Sequence, residues 1–138
     1  MPAINSVAGQ LVGIPVGQVY TAGPGIKIDN VNKVVSVDIT WTDVSSEITA
    51  SAAVTGGAWK FYYSKALRMI AIIGEAHVQD SGAVYTLPAK YRPINNFVLS
   101  SPTGVAFIDY SASTGVFAAR PGTNTYFSMQ TTMPCTGE

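Results

Sequence analysis

The stretch Leu87-Pro88-Ala89-Lys90-Tyr91-Arg92-Pro93 cannot run as an interior strand, because each proline lacks the N–H that a sheet ladder needs. Leu87 and Arg92, each followed by proline, are pushed towards extended or turn geometry and away from helix. The segment therefore reads as a stiff, irregular crossing that carries the chain from one sheet to another. Upstream lies the apolar run 69–74. Downstream come 97–100, 105–110 and 116–119, each short and bounded by turn residues. This layout predicts an all-β fold, an antiparallel β-sandwich or barrel head built around the crossing. No segment carries a capped apolar repeat of period 3.6, so helix is expected to be scarce.

Alternation assigns the faces. Trp59, Phe61 and Tyr63 share one side of a strand, and Lys60 and Tyr62 the other. In 68–78, Ile70, Ile72, Gly74, Ala76 and Val78 oppose Met69, Ala71, Ile73, Glu75 and His77. Apolar residues on both faces of its first half predict a central strand whose Glu75/His77 end emerges to solvent. Residues 47–55 lean to strand on their Thr and Val content, Gly56-Gly57 reads as a turn, and 79–82 as another. Beyond Pro93, turn clusters recur about every ten residues, the rhythm of a sandwich or barrel.

Towards the N-terminus, Ile26 and Ile28 alternate with Lys27 and Asp29, and an apolar alternation follows over 35–41, so the two runs predict a hairpin across an Asp-Asn turn. A lone hairpin is marginal in water and needs something to pack on. Residues 1–22, with Leu11-Val12-Gly13-Ile14-Pro15-Val16 as their apolar cluster, read as an extended arm. We place the arm and hairpin neck in 1–42 and the head in 43–138.

Only 12% of the 138 residues are charged, about half the usual ~25%, and mean hydropathy is +0.24. Apolar surface is thus expected to be buried between copies of the chain. Eight basic and eight acidic residues cancel without forming blocks, which argues against nucleic acid as partner. Cys135 is the sole cysteine and His77 the sole histidine, so no thiolate or histidine metal cluster and no cofactor is expected. No apolar run approaches the ~20 residues of a membrane span, and Met1-Pro2-Ala3-Ile4-Asn5 lacks the plan of a signal peptide, so neither membrane insertion nor export by that route is expected.

No nucleophile elbow, phosphate loop, zinc-binding pair or dinucleotide fingerprint is present, and an enzyme is not expected. His77, with Glu75 on its face, reads either as a sugar-contacting or general-base group or as a surface histidine at a strand end. Asp109 shares a face with Val105 and Phe107; it either accepts hydrogen bonds from a ligand or leaves the core to cap the Ser111 turn. Trp59, Tyr62, Tyr63 and Tyr126 are candidates for stacking on sugar rings, or for core and interface packing. Arg92 and Arg120 could each clamp a carboxylate or phosphate, or bridge subunits.

Two places together resemble the tail-fibre and receptor-binding proteins of tailed bacteriophages. Tyr20-Thr21-Ala22-Gly23-Pro24-Gly25-Ile26-Lys27-Ile28-Asp29-Asn30, followed by 34–37, is similar to a hairpin that recurs in fibre necks and shafts. The strand 68–78, the Leu87-to-Pro93 crossing, 105–109 and 115–119 follow in the order found in fibre-tip heads and lactococcal-type baseplates. The resemblance runs from about residue 20 to the C-terminus. It implies a homotrimer whose β head binds a host cell-surface saccharide for adsorption, located on the virion at the tail-fibre tip or baseplate, with the N-terminal arm docked on other virion or tail proteins. Where some lactococcal-type heads carry a His-x-Asp and a downstream Trp, this chain has Phe107-Ile108-Asp109, then Phe117 and Arg120. The implied saccharide site is Asp109, Phe117 and Arg120, with Trp59, Tyr62 and His77 as further candidates. A purely structural trimeric fibre, collar or head-decoration protein is the alternative. A depolymerase would need two carboxylates flanking the bond it cuts, and no acidic cluster suggests them.

Overall fold

The computed structural model describes residues 19–23 and 25–138; most of the arm expected over 1–22 lies outside them. The chain forms two compact units, one from the described part of Met1–Thr40 with Lys65–Leu67, the other from Trp41–Ser64 and Arg68–Glu138.

In the first unit, β1 (Ile26–Asp29) and β2 (Val34–Val37) pair antiparallel, with Ile26 opposite Val37 and Ile28 opposite Val35. This is the expected hairpin. The Asp29 carboxylate closes its turn by accepting the N–H groups of Val31 and Asn32 and the Asn32 side-chain amide at 2.8–3.0 Å. Those hydrogen bonds, the Asn32 backbone donor foremost, hold the Asp29 carboxyl below its usual range. β2 stops at Val37, short of the 35–41 alternation, and leaves Ile39 and Trp41 outside it.

The second unit is an antiparallel sandwich. One sheet has four strands in the order β11-β6-β5-β3, the other five in the order β4-β7-β10-β9-β8. The first comprises β3 (Thr42–Asp43), β5 (Val54–Ser64), β6 (Met69–Gln79) and β11 (Asn124–Pro134); the second β4 (Thr49–Ala50), β7 (Gly82–Thr86), β8 (Phe97–Ser100), β9 (Phe107–Ser111) and β10 (Val116–Ala119). Single 3₁₀ turns at Ser45–Glu47 and Ala89–Tyr91 are the helical segments among the described residues. β6 lies between β11 and β5 and pairs with both along its length, the central position its two-sided apolarity predicts.

Three local expectations are corrected. The proline crossing does not change sheets: it leaves β7 and enters β8 of the same sheet, after which β9 and β10 return until β10 lies beside β7. It is the long connection of a Greek key, whereas the sheet changes between long strands occur at the turns before β7 and β11. The reason is that two prolines forbid a ladder but do not encode a destination. Gly56-Gly57 is no turn either. It lies inside β5, at a register shift between Val54 and Gly56, with Gly57 at φ +65°; this is a bulge, which glycine permits. Residues 47–55 make a 3₁₀ end and the two-residue β4 before β5 begins, rather than one strand.

Arg92 fastens the crossing. Its Nε donates to the Leu87 carbonyl at 3.0 Å and its Nη1 to the Ser113 carbonyl at 3.1 Å, so this arginine is engaged in the fold of its own chain. Tyr91 donates its hydroxyl to Glu47 at 2.8 Å, and Pro93 bridges to Cys135.

The inner faces meet in an aromatic core. Trp59 stacks on Tyr85 with centroids 5.0 Å apart and meets Phe117 edge-on at 5.4 Å. Its indole N–H donates to the Phe127 carbonyl at 3.0 Å, and its backbone N–H to the Tyr85 hydroxyl at 3.1 Å. Phe97, Tyr110 and Phe117 form a second cluster. Tyr110 donates to the Pro93 carbonyl, and burial pushes its phenol up to about 12. Every buried apolar residue of this core falls within Val44 to Cys135. Removal of residues 1–40 is accordingly expected to leave a folded head; circular dichroism of the truncated chain checks this, and a coil spectrum would contradict it.

Candidate functional site

The strand period of two decides what each sheet presents outward. On β9, Ile108 and Tyr110 point into the core while Phe107, Asp109 and Ser111 face out. Asp109 stands opposite Val98 of β8 and Ala118 of β10. Arg120, just past β10, reaches back to it with a two-pronged ion pair, Nε to Oδ2 at 2.7 Å and Nη2 to Oδ1 at 2.8 Å. The guanidinium lies 4.9 Å from the centroid of Phe107, over its ring. Asp109 and Arg120 are thus brought together as expected. Phe117 is not with them, because it stands opposite Tyr110 and is fully buried.

Hydrogen bonding and charge from Arg120 hold the Asp109 carboxyl below its usual range. With a depressed folded-state pKa, the pair's stabilisation is present above the ordinary carboxylate range and is lost as pH falls through the folded value. Both side chains are about half exposed, so the effect on global stability is small. In Arg120→Gln, the Asp109 carboxyl is expected to titrate in the ordinary aspartate range, measured by carbonyl-detected NMR; an unchanged midpoint would show that Arg120 is not the cause. Chemically, this cluster is already satisfied. The carboxylate holds its own cation, and the ring face is occupied.

The outer face of the four-stranded sheet is different. Tyr126 of β11 pairs with His77 of β6, and Ser128 with Glu75. The Tyr126 and His77 rings meet edge to face with centroids 4.8 Å apart, and Tyr126 remains 49% exposed. Thr55 Oγ1 lies 2.6 Å from His77 Nδ1, which fixes the imidazole and leaves Nε2 as the remaining polar position. Ser128 donates to Glu75 Oε2 at 3.2 Å. Across β6 from Tyr126 stands Gly56, whose lack of a side chain leaves room beside the tyrosine hydroxyl. An open aromatic ring flanked by an imidazole, a carboxylate and hydroxyls is a set of groups that suits a sugar.

The remaining expected residues divide cleanly. Tyr62 lies half-buried on this same outer face, opposite Ala71 and next to Asp43. Trp59 does not, being 2% exposed with its ring engaged inside the sandwich; it is a core residue and offers no ring to a ligand, as is Phe117. Tyr63 packs inward against Tyr91. Thr55, Ser128 and Gln130 join the outer face without having been singled out. The signal for Ser128 and Gln130 is the alternation of 125–133, where Phe127, Met129 and Met133 mark the inward positions, whereas Thr55 sits at the β5 bulge that the sequence does not reveal. Among the described residues no group of His, Cys, Asp and Glu is placed to hold a metal, and no helix is long and apolar enough to cross a membrane.

Compared with known proteins, the chain matches no family model, no curated protein and no solved structure.

Proposed function

We propose that this chain is the head and neck of a homotrimeric phage fibre tip, which recognises host cell-surface saccharide for adsorption and does not cleave it. The observation that carries the reading is the half-exposed Tyr126, set against His77 beside Glu75 and Ser128 on an open sheet face. A tyrosine ring matches the C–H face of a pyranose, and the groups around it accept or donate to its hydroxyls. The sequence resemblance to fibre tips supplies the biological setting. Self-association is supported by the exposed apolar side chains Val19, Tyr20, Ile26, Val31, Val37 and Ile39 of the first unit.

The test is cell adsorption by the intact trimer and by Tyr126→Ala. The substitution removes a surface ring without touching the core, so the trimer is expected to persist. Adsorption is expected to fall at least tenfold, since the loss recurs in every copy and avidity multiplies it. Unchanged adsorption would favour the structural reading, a fibre or collar protein without a glycan site. Light scattering that returned a folded monomer of 14.5 kDa would refute the trimer.

A further inference from the structure

The saccharide reading rests on one end of a longer face, and the rest of that face constrains the ligand. Resting on that reading, we infer that the ligand is an uncharged polysaccharide segment lying side-on across the four-stranded sheet, from Tyr126 to Tyr62, rather than a terminal sugar held in a pocket.

Register places the two tyrosines at opposite ends. Tyr126 pairs with His77, and Tyr62 with Ala71, on the same strand β6. Six residues of strand separate His77 from Ala71, about 20 Å at ~3.3 Å per residue, and the tyrosines are offset by two strand spacings, about 10 Å. The diagonal between them is therefore roughly 22 Å, beyond the reach of a single sugar. Between them the floor is low. Gly56 and Ala58 occupy the β5 row, and Ile73, 47% exposed, offers an apolar step on β6.

Polar groups line the route without closing it. Glu75 and Ser128 lie next to the Tyr126 end, Gln130 pairs with Ile73 midway, and Lys60 stands across from Ile73 on β5. Such a row can accept and donate to successive hydroxyls of a chain, but it builds no wall around a chain end. The charges also select. Lys60 is the one permanent cation among the described residues of β5, β6 and β11, and Glu75 and Asp43 share the face. A polymer bearing a carboxylate on each repeat meets no row of Lys or Arg to form charge-assisted pairs with and meets Glu75 and Asp43 instead, whereas an uncharged chain meets no such repulsion.

The probes are uncharged oligosaccharides of gluco, manno, galacto and rhamno configuration, each from monosaccharide to decasaccharide, with hyaluronate as the anionic comparator. Affinity for the configuration that binds is expected to rise with length until the ligand spans about 20 Å, and then to level. Tyr62→Ala is expected to cost about tenfold in affinity for the long ligands and nothing for the disaccharide, while Tyr126→Ala weakens both. Tyr62→Phe, which keeps the ring, is expected to retain most of the affinity. A monosaccharide binding as tightly as the longest oligomer, an unaffected Tyr62→Ala, or preference for hyaluronate would each overturn the side-on inference while leaving saccharide recognition standing. Failure of every probe, and of polysaccharide extracted from cells that the trimer adsorbs, would overturn the saccharide reading itself.

Discussion

Replacement of Trp59 by alanine is expected to lower the head's stability by about 3–5 kcal/mol, the usual cost of emptying a buried tryptophan site. Such a loss is comparable to the whole stability of a marginal domain. The indole contacts Phe61, Tyr85 and Phe117 and spans the sheet to donate to the Phe127 carbonyl. Its removal opens a cavity between the two sheets and breaks a buried hydrogen bond at once. Urea denaturation followed by tyrosine fluorescence gives the midpoint. Trp59→Phe, which keeps part of the volume and loses the N–H, is expected to fall between alanine and the parent chain. A parent-like midpoint for Trp59→Ala would return Trp59 to the list of ligand-facing aromatics and undo the assignment of faces on β5.

Gly115→Ala is expected to be nearly as damaging, although it adds only a methyl group. Gly115 has φ +72°, and a Cβ there would collide with Arg92 Nε and come within 2.5 Å of the Leu87 carbonyl oxygen. Leu87 also donates its N–H to the Gly115 carbonyl at 2.9 Å. Left-handed strain costs roughly 1–3 kcal/mol. Displacing Arg92 also weakens hydrogen bonds from a charged donor, each worth about 1.5–3 kcal/mol. A total of roughly 3 kcal/mol or more is therefore expected. Gly82 and Gly122 are the controls: both have positive φ, and a Cβ at either meets nothing within 4 Å. Their alanine variants carry the backbone strain alone. If Gly115→Ala were no worse than Gly82→Ala in a thermal melt, the clasp of Arg92 on the 113–115 turn would not be holding the Greek key together.

Periodicity carried most of what could be read without coordinates. The alternation in 59–63 and 69–78 set the inward and outward rows of β5 and β6, and the turn clusters bounded β8 and β10 at their observed ends. What stayed hidden was non-local. Nothing in Leu87 to Pro93 says which strand the crossing will reach, because that depends on where β10 later inserts. Gly56-Gly57 has the composition of a turn, and only pairing with β6 turns it into a bulge. The same limit applied to the site. An aromatic list could not separate Trp59 from Tyr62 and Tyr126 as ligand-facing groups, since size and chemistry are shared and only burial differs. The resemblance groups Phe117 with Asp109, yet the strand period puts the two on opposite sides of one sheet.

The bulge-free pairing of β6 with β11 over all of Asn124–Pro134 has a consequence for how such a protein can change. Inward residues Phe127 and Met129 belong to the core, while the outward Tyr126, Ser128 and Gln130 are exposed and outside it. On the proposed reading, stability and recognition are thus written in alternate letters of the same strand. Substitutions at the outward letters can accumulate without first being compensated in the scaffold. Under the proposed reading, a library randomised at Tyr62, Ile73, Glu75, His77, Tyr126 and Gln130 samples altered binding on an unaltered frame.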